Sequence, residues 1–119
     1  MQIETLDIAG TAVVAGRRDA AVLVDLADVH SLIEACFERR ARGLLLYPEN
    51  LTPGFFDLRS GEAGEVLQKL RTYGLRLALV ARASDLPEGH FREMVGEEAR
   101  GSDFRIFPEP DAGLAWLAA

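Results

Sequence analysis

The chain has 119 residues, about one domain's worth, with 49% hydrophobic and 27% charged residues, so it can close a core of its own. Its net charge of −6 gives no basic face for a phosphate backbone or an anionic membrane, and nucleic acid and membrane are set aside as partners. A single cysteine, Cys36, excludes an intrachain disulfide; with no basic, apolar leader at MQIETLDIAG and no run of ~18 apolar residues, a cytoplasmic domain is expected.

Taken in chain order, Gln2 to Ile8 alternates Ile3, Leu6 and Ile8 with polar residues, which predicts a strand. Ala9-Gly10 turns it into Thr11–Ala15, so the two form a hairpin. Ala20 to Leu26 reads as either more strand or the entry to a helix. Asp25 or Asp28 can cap a helix to about Arg40 whose apolar face carries Val29, Leu32, Ile33, Cys36 and Phe37. GLLLYP, from Gly43, reads as a strand buried on both faces, the mark of a parallel sheet. Ser60 is placed to cap a helix bearing Ala63, Val66, Leu67 and Leu70, closed at Gly74. RLALVA predicts the next strand, Arg76 to Ala81. Ser84 or Asp85 starts a helix with Phe91, Met94, Val95 and Ala99 inward, stopped at Gly101. FRIF, Phe104 to Phe107, is the last strand, and Asp111 caps a terminal helix with Leu114 and Leu117 inward.

The order β-β-α-β-α-β-α-β-α predicts one α/β domain over residues 1–119, with a five-stranded, mostly parallel sheet, one antiparallel edge strand and about four helices. Ligands and partners of such sheets meet the loops at the carboxyl ends of the strands. The stretch ENLTPGFFDLRSGEAGE leaves the carboxyl end of the strand expected near the middle. It combines turn formers with Phe55-Phe56, where a solvent loop would be polar.

Within that stretch, Asn50-Leu51-Thr52-Pro53, Phe55-Phe56-Asp57-Leu58, Ser60-Gly61 and Ala63-Gly64-Glu65, with Leu67-Gln68-Lys69 behind them, resemble the signature of a bacterial family, domain of unknown function 4180. That resemblance covers nearly the whole chain and brings no function with it. The family pattern has an acid where Gly54 stands, which argues against an essential carboxylate there. A looser likeness is to anti-sigma-factor-antagonist, or STAS, domains. In those an apolar pair and an Asp precede Ser-Ser-Gly or Ser-Thr-Gly at a helix start. Here Phe55-Phe56-Asp57 and Ser60-Gly61 supply the two parts, and Leu58 and Arg59 intervene. The likeness implies a STAS-like, non-catalytic regulatory domain. Its partner surface would be Asn50, Thr52, Phe55, Phe56, Asp57 and Arg59, with Ser60 as a candidate phospho-acceptor.

Each feature also has a plainer explanation. Ser60 suffices as a helix cap, worth about 1 kcal/mol. One phenylalanine can anchor the loop while its neighbour docks a partner. Asp57 can hold backbone amides. Gly61 and Gly64, with Glu65, can bring the helix start close to a neighbour. Glu62 and Glu65 complement the helix dipole. The rival to a binding module is a small enzyme or ligand binder with Tyr47, Glu49 and Asp57 around a pocket. No metal-ligand spacing involves His30 or His90, Cys36 falls on an apolar face, and GEAG is no phosphate loop. No catalytic residue, metal or cofactor is therefore assigned. A protein partner is expected, and a homodimer fits either reading.

Overall fold

The alternation at the start of the chain becomes a hairpin of β1 (Ile3–Ile8) and β2 (Thr11–Gly16), registered from Ile3 opposite Gly16 to Ile8 opposite Thr11. Ala9 (φ 53°) and Gly10 (φ 88°) both take positive φ, the two-residue turn whose twist suits a hairpin. The Asp7 carboxylate accepts the Gly10 amide at 2.8 Å. The computed structural model describes residues 2–18, 20–22, 27–57, 60–82, 84 and 102–119. The helix expected after residue 84 lies outside these residues, as do Asp25 and His90.

Three further strands run parallel to β2: β3 (Gly43–Leu46), β4 (Arg76–Val80) and β5 (Phe104–Phe107). The order across the sheet is β1-β2-β3-β4-β5, so β3 is central, and all four of its residues are buried. Helix α1 (Ala27–Glu38) joins β2 to β3, and α2 (Glu62–Thr72) joins β3 to β4. Both helices pack on one face. Val29, Leu32, Ile33 and Cys36 of α1 and Ala63, Val66, Leu67 and Leu70 of α2 meet Val14, Leu44, Leu46, Leu77 and Leu79. Full burial of each such Leu, Ile or Val contributes about 1.5–3 kcal/mol. The alternate side chains, Val13, Ala15, Leu45, Ala78 and Val80, point to the other face. That face is covered by α3 (Pro110–Ala118) through Leu117 and half-buried Leu114 and Trp116. The Arg76 guanidinium lies 4.0 Å over the Trp116 ring and ties α3 to the start of β4.

Three local expectations need correction. Asp28 lies inside the first turn of α1 rather than before it. Helix α3 is entered through Glu109, with Pro110 at its first position and Asp111 in its first turn, because proline's fixed φ suits a helix start. Phe37, placed by its spacing on the apolar face, is 53% exposed: it falls at the margin of the buried stripe of α1 and meets Tyr73 edge-to-face, while Cys36 in the same turn is in the core. No described helix is long and apolar enough to cross a membrane.

Because β2, β3 and β4 follow one another across the sheet and both connecting helices lie on one face, strand order does not reverse there. A reversal is what opens the ligand crevice of doubly wound sheets. Concave features must instead come from the loops.

Candidate functional site

The connection from β3 to α2 begins at Tyr47, whose extended backbone leads into a 3-10 turn, Pro48–Asn50. Asn50 is fully buried and fully occupied. Its Oδ1 accepts the Tyr47 amide at 2.7 Å, and its Nδ2 donates to the carbonyls of Arg17 (2.6 Å) and Ala20 (2.7 Å). Its own carbonyl accepts the Val22 amide at 3.1 Å. One side chain thus fastens the segment after β2 to the end of β3. A Cβ at Gly16 would fall on the Asn50 Oδ1, so glycine is needed for this close approach.

A second 3-10 turn, Pro53–Phe56, follows. Thr52 caps it: its hydroxyl accepts the Phe55 amide at 3.2 Å and donates to Glu62 Oε2 at 2.7 Å. The Glu62 carboxylate also occupies the space that a side chain at Gly54 would enter. The Phe55 ring is fully buried, and half-buried Phe56 meets it edge-to-face at 5.3 Å. Asp57 is exposed, and its amide closes the turn on the Gly54 carbonyl.

Ser60 is exposed, with its Oγ 2.5 Å from the Gly54 carbonyl and 2.8 Å from the Asp57 carbonyl; it donates to these and accepts the Glu62 amide at 3.1 Å. It is not the N-cap of α2. Gly61 is, at φ 72°, a left-handed turn that moves the helix start one residue on. Gly61 and Gly64 are exposed and face open space, so they do not serve the close packing expected of them, and Glu65 is exposed in the first turn of α2. The expected partner surface is corrected in the same way. Asn50, Thr52 and Phe55 are buried and shape the loop from within, whereas Phe56, Asp57 and Ser60 are presented by it. Arg59 lies outside the described residues.

Beside this loop, at the carboxyl ends of the parallel strands, is a cleft of about 380 Å³. Tyr47 and Glu49 line it as expected; Asp57 does not. Arg18, Arg82 and Glu109 complete its polar lining, with the Arg18 guanidinium 4.5 Å over the Tyr47 ring and Arg82 paired with Glu109 at 3.1 Å. These three were missed in the sequence, although each follows a strand's carboxyl end by two residues.

Away from this edge, exposed His30 pairs with Glu34 at 3.2 Å along α1. Burial pushes the Cys36 thiol up to about 12, against a smaller opposite pull from Arg39, which suits a packed, protonated side chain. Among the described residues no three His, Cys, Asp or Glu side chains come together as a metal site.

The fold and this loop define an α/β domain with a five-stranded mixed sheet and, among the described residues, two helices on one face and one on the other. The chain belongs to the family described as Domain of unknown function (DUF4180), whose model matches residues 8–117. No curated protein and no solved structure matches it.

Proposed function

We propose that this is a non-catalytic, cytoplasmic regulatory domain that binds a protein partner through the loop and helix start at 50–65. The observation that carries the reading is the pinning of that loop from inside. Asn50, Thr52 and Phe55 fix the backbone, so Phe56, Asp57 and Ser60 are held in place before any partner arrives. A pre-ordered surface loses less freedom on binding, which favours affinity. The likeness to STAS domains supports the same role.

Ser60 sits where a modification would alter that surface. A phosphate on its Oγ would remove the proton donated to the Gly54 or Asp57 carbonyl and set new negative charge beside Glu62. Ser60→Glu is therefore expected to weaken or switch partner binding while the domain stays folded. Affinity capture from the source cells, comparing wild type, Ser60→Glu and Asp57→Ala, checks this. The reading stands if a stoichiometric partner is kept by wild type and lost by the variants, and it fails if all three retain the same proteins.

The cleft favours a second reading, a small-ligand site. Its volume falls in the ligand-pocket range, and its lining mixes two arginines, two glutamates and a tyrosine. A zwitterionic ligand would suit that lining, and loss of its binding in Arg82→Ala with the partner surface unaffected would separate the two readings.

A further inference from the structure

We propose that the amino-terminal end of the sheet, opposite the loop at 50–65, is a second docking surface, fitted to an acidic segment of a protein partner. The segment would lay an apolar side chain on Phe37 and Tyr73 and its carboxylates on Arg40 and Arg42. The proposal does not rest on the carboxyl-edge reading.

Phe37 (53% exposed) and Tyr73 (46%) are the exposed large apolar side chains among the described residues, and they touch, with ring centroids 5.9 Å apart at 67°. With Arg40, Ala41, Arg42 and Gly74 they line a recess of about 520 Å³. Aromatic and arginine side chains around one depression are the usual anchors of a protein interface.

The two helices that end here close their backbones identically. In α1 the Arg40 amide bonds the Phe37 carbonyl at 3.1 Å and the Ala41 amide the Cys36 carbonyl at 2.8 Å. In α2 the Gly74 amide bonds the Arg71 carbonyl at 3.0 Å and the Leu75 amide the Leu70 carbonyl at 2.9 Å. Each is the motif that puts one residue in the left-handed region, where glycine is favoured. In α2 that residue is Gly74, at φ 71°; in α1 it is Arg40, at φ 56°. The left-handed backbone favours glycine at both positions, so Arg40 holds a backbone that is unfavourable for its residue type.

Nor does its guanidinium bond any of the described residues. Arg39 donates to the Ala35 carbonyl, Arg71 pairs with Asp103 at 3.0 Å, and Arg76 bonds the Ser102 carbonyl. Arg40 and Arg42 make no side-chain hydrogen bond or ion pair with the described residues. In a chain of net charge −6, residues 38–42 hold three arginines against one glutamate, Glu38. Two guanidiniums that pair with none of the described residues, beside an apolar recess, complement carboxylates flanking an apolar residue. A long polyanion such as a nucleic acid would run on from the recess over the rest of a chain of net charge −6, whereas a short acidic segment stays within the screening length of about 8 Å at physiological salt and meets chiefly the local arginines.

The test titrates ¹⁵N-labelled protein with an acetylated peptide, DEFLDE, and with its basic counterpart, KKFLKK. The acidic peptide is expected to shift the amides of residues 37–42 and 73–75, and the basic one to leave them in place. Arg40→Gly should weaken the acidic peptide at least fivefold while raising the folding equilibrium constant about threefold, since glycine relieves the left-handed strain at some cost in chain entropy. Lost binding with gained stability cannot come from unfolding, and Arg42→Ser should weaken binding without that gain. The proposal is overturned by an absence of shifts up to about 1 mM peptide, by equal binding in both variants, by an oligothymidylate binding more tightly than the peptide, or by sedimentation showing a dimer that covers Phe37.

Discussion

The two ends of the sheet treat their side chains in opposite ways. At the carboxyl end the conspicuous residues turn inward: Asn50 joins three backbone groups through its side chain, Thr52 bridges Phe55 and Glu62, and Phe55 is fully buried. At the amino end the backbone closes its own hydrogen bonds, and Phe37, Arg40, Arg42 and Tyr73 are left facing outward. An unusual residue pattern is thus explained by folding at one end, while an ordinary-looking one at the other contains residues that folding does not require. Residue choice that costs stability is a better pointer to a binding surface than an unusual composition.

The largest test of that contrast is Asn50→Ala. It strands the Arg17 and Ala20 carbonyls and the Tyr47 amide around the buried Asn50 side chain, and each group left unsatisfied costs about 1–3 kcal/mol. A loss of about 3 kcal/mol or more is expected in urea unfolding; a loss under about 1 kcal/mol would mean that the clamp is replaceable by water. The two helix ends give a smaller pair of opposite sign. Gly74→Ala should destabilise by about 1 kcal/mol and Arg40→Gly stabilise by about 0.5–1 kcal/mol. Equal signs would show that the two motifs are not equivalent. Phe37→Ser is expected to change stability by less than about 0.5 kcal/mol, as for a surface site; a loss of several kcal/mol would return Phe37 to the core.

The strands and their succession along the chain were legible because their signals are local, whereas their full order across the sheet was not. GLLL has no polar residue to turn outward, and Ala9-Gly10 between alternating runs can only be a tight reversal. What the spacing could not supply was where a neighbour's cover ends. Phe37 has the right period for the apolar face of α1 but falls at the margin of its buried stripe, exposed while Cys36 in the same turn is fully buried. Asn50 was legible as a turn former, but its real partners lie 30 and 33 residues away, beyond any local pattern. Ser60 and Gly61 show a finer limit, since both suit a helix start. The positive φ of Gly61 decides between them, and only the backbone reveals it. At the carboxyl edge Tyr47 and Glu49 were found because one loop was searched, whereas Arg18, Arg82 and Glu109 come from three other connections.

The covering of the second sheet face by α3 has a consequence for how the chain is made. Valine, alanine and leucine side chains from β2, β3 and β4 all await residues 110–118. During synthesis, the face holding α1 and α2 can close while those residues are still inside the ribosome, and among the described residues no other helix covers the opposite face until they emerge. Helix α3 is therefore the clasp of the fold. A nascent chain stalled just before it would expose a flat apolar sheet, the kind of surface that chaperones hold and quality-control proteases cut.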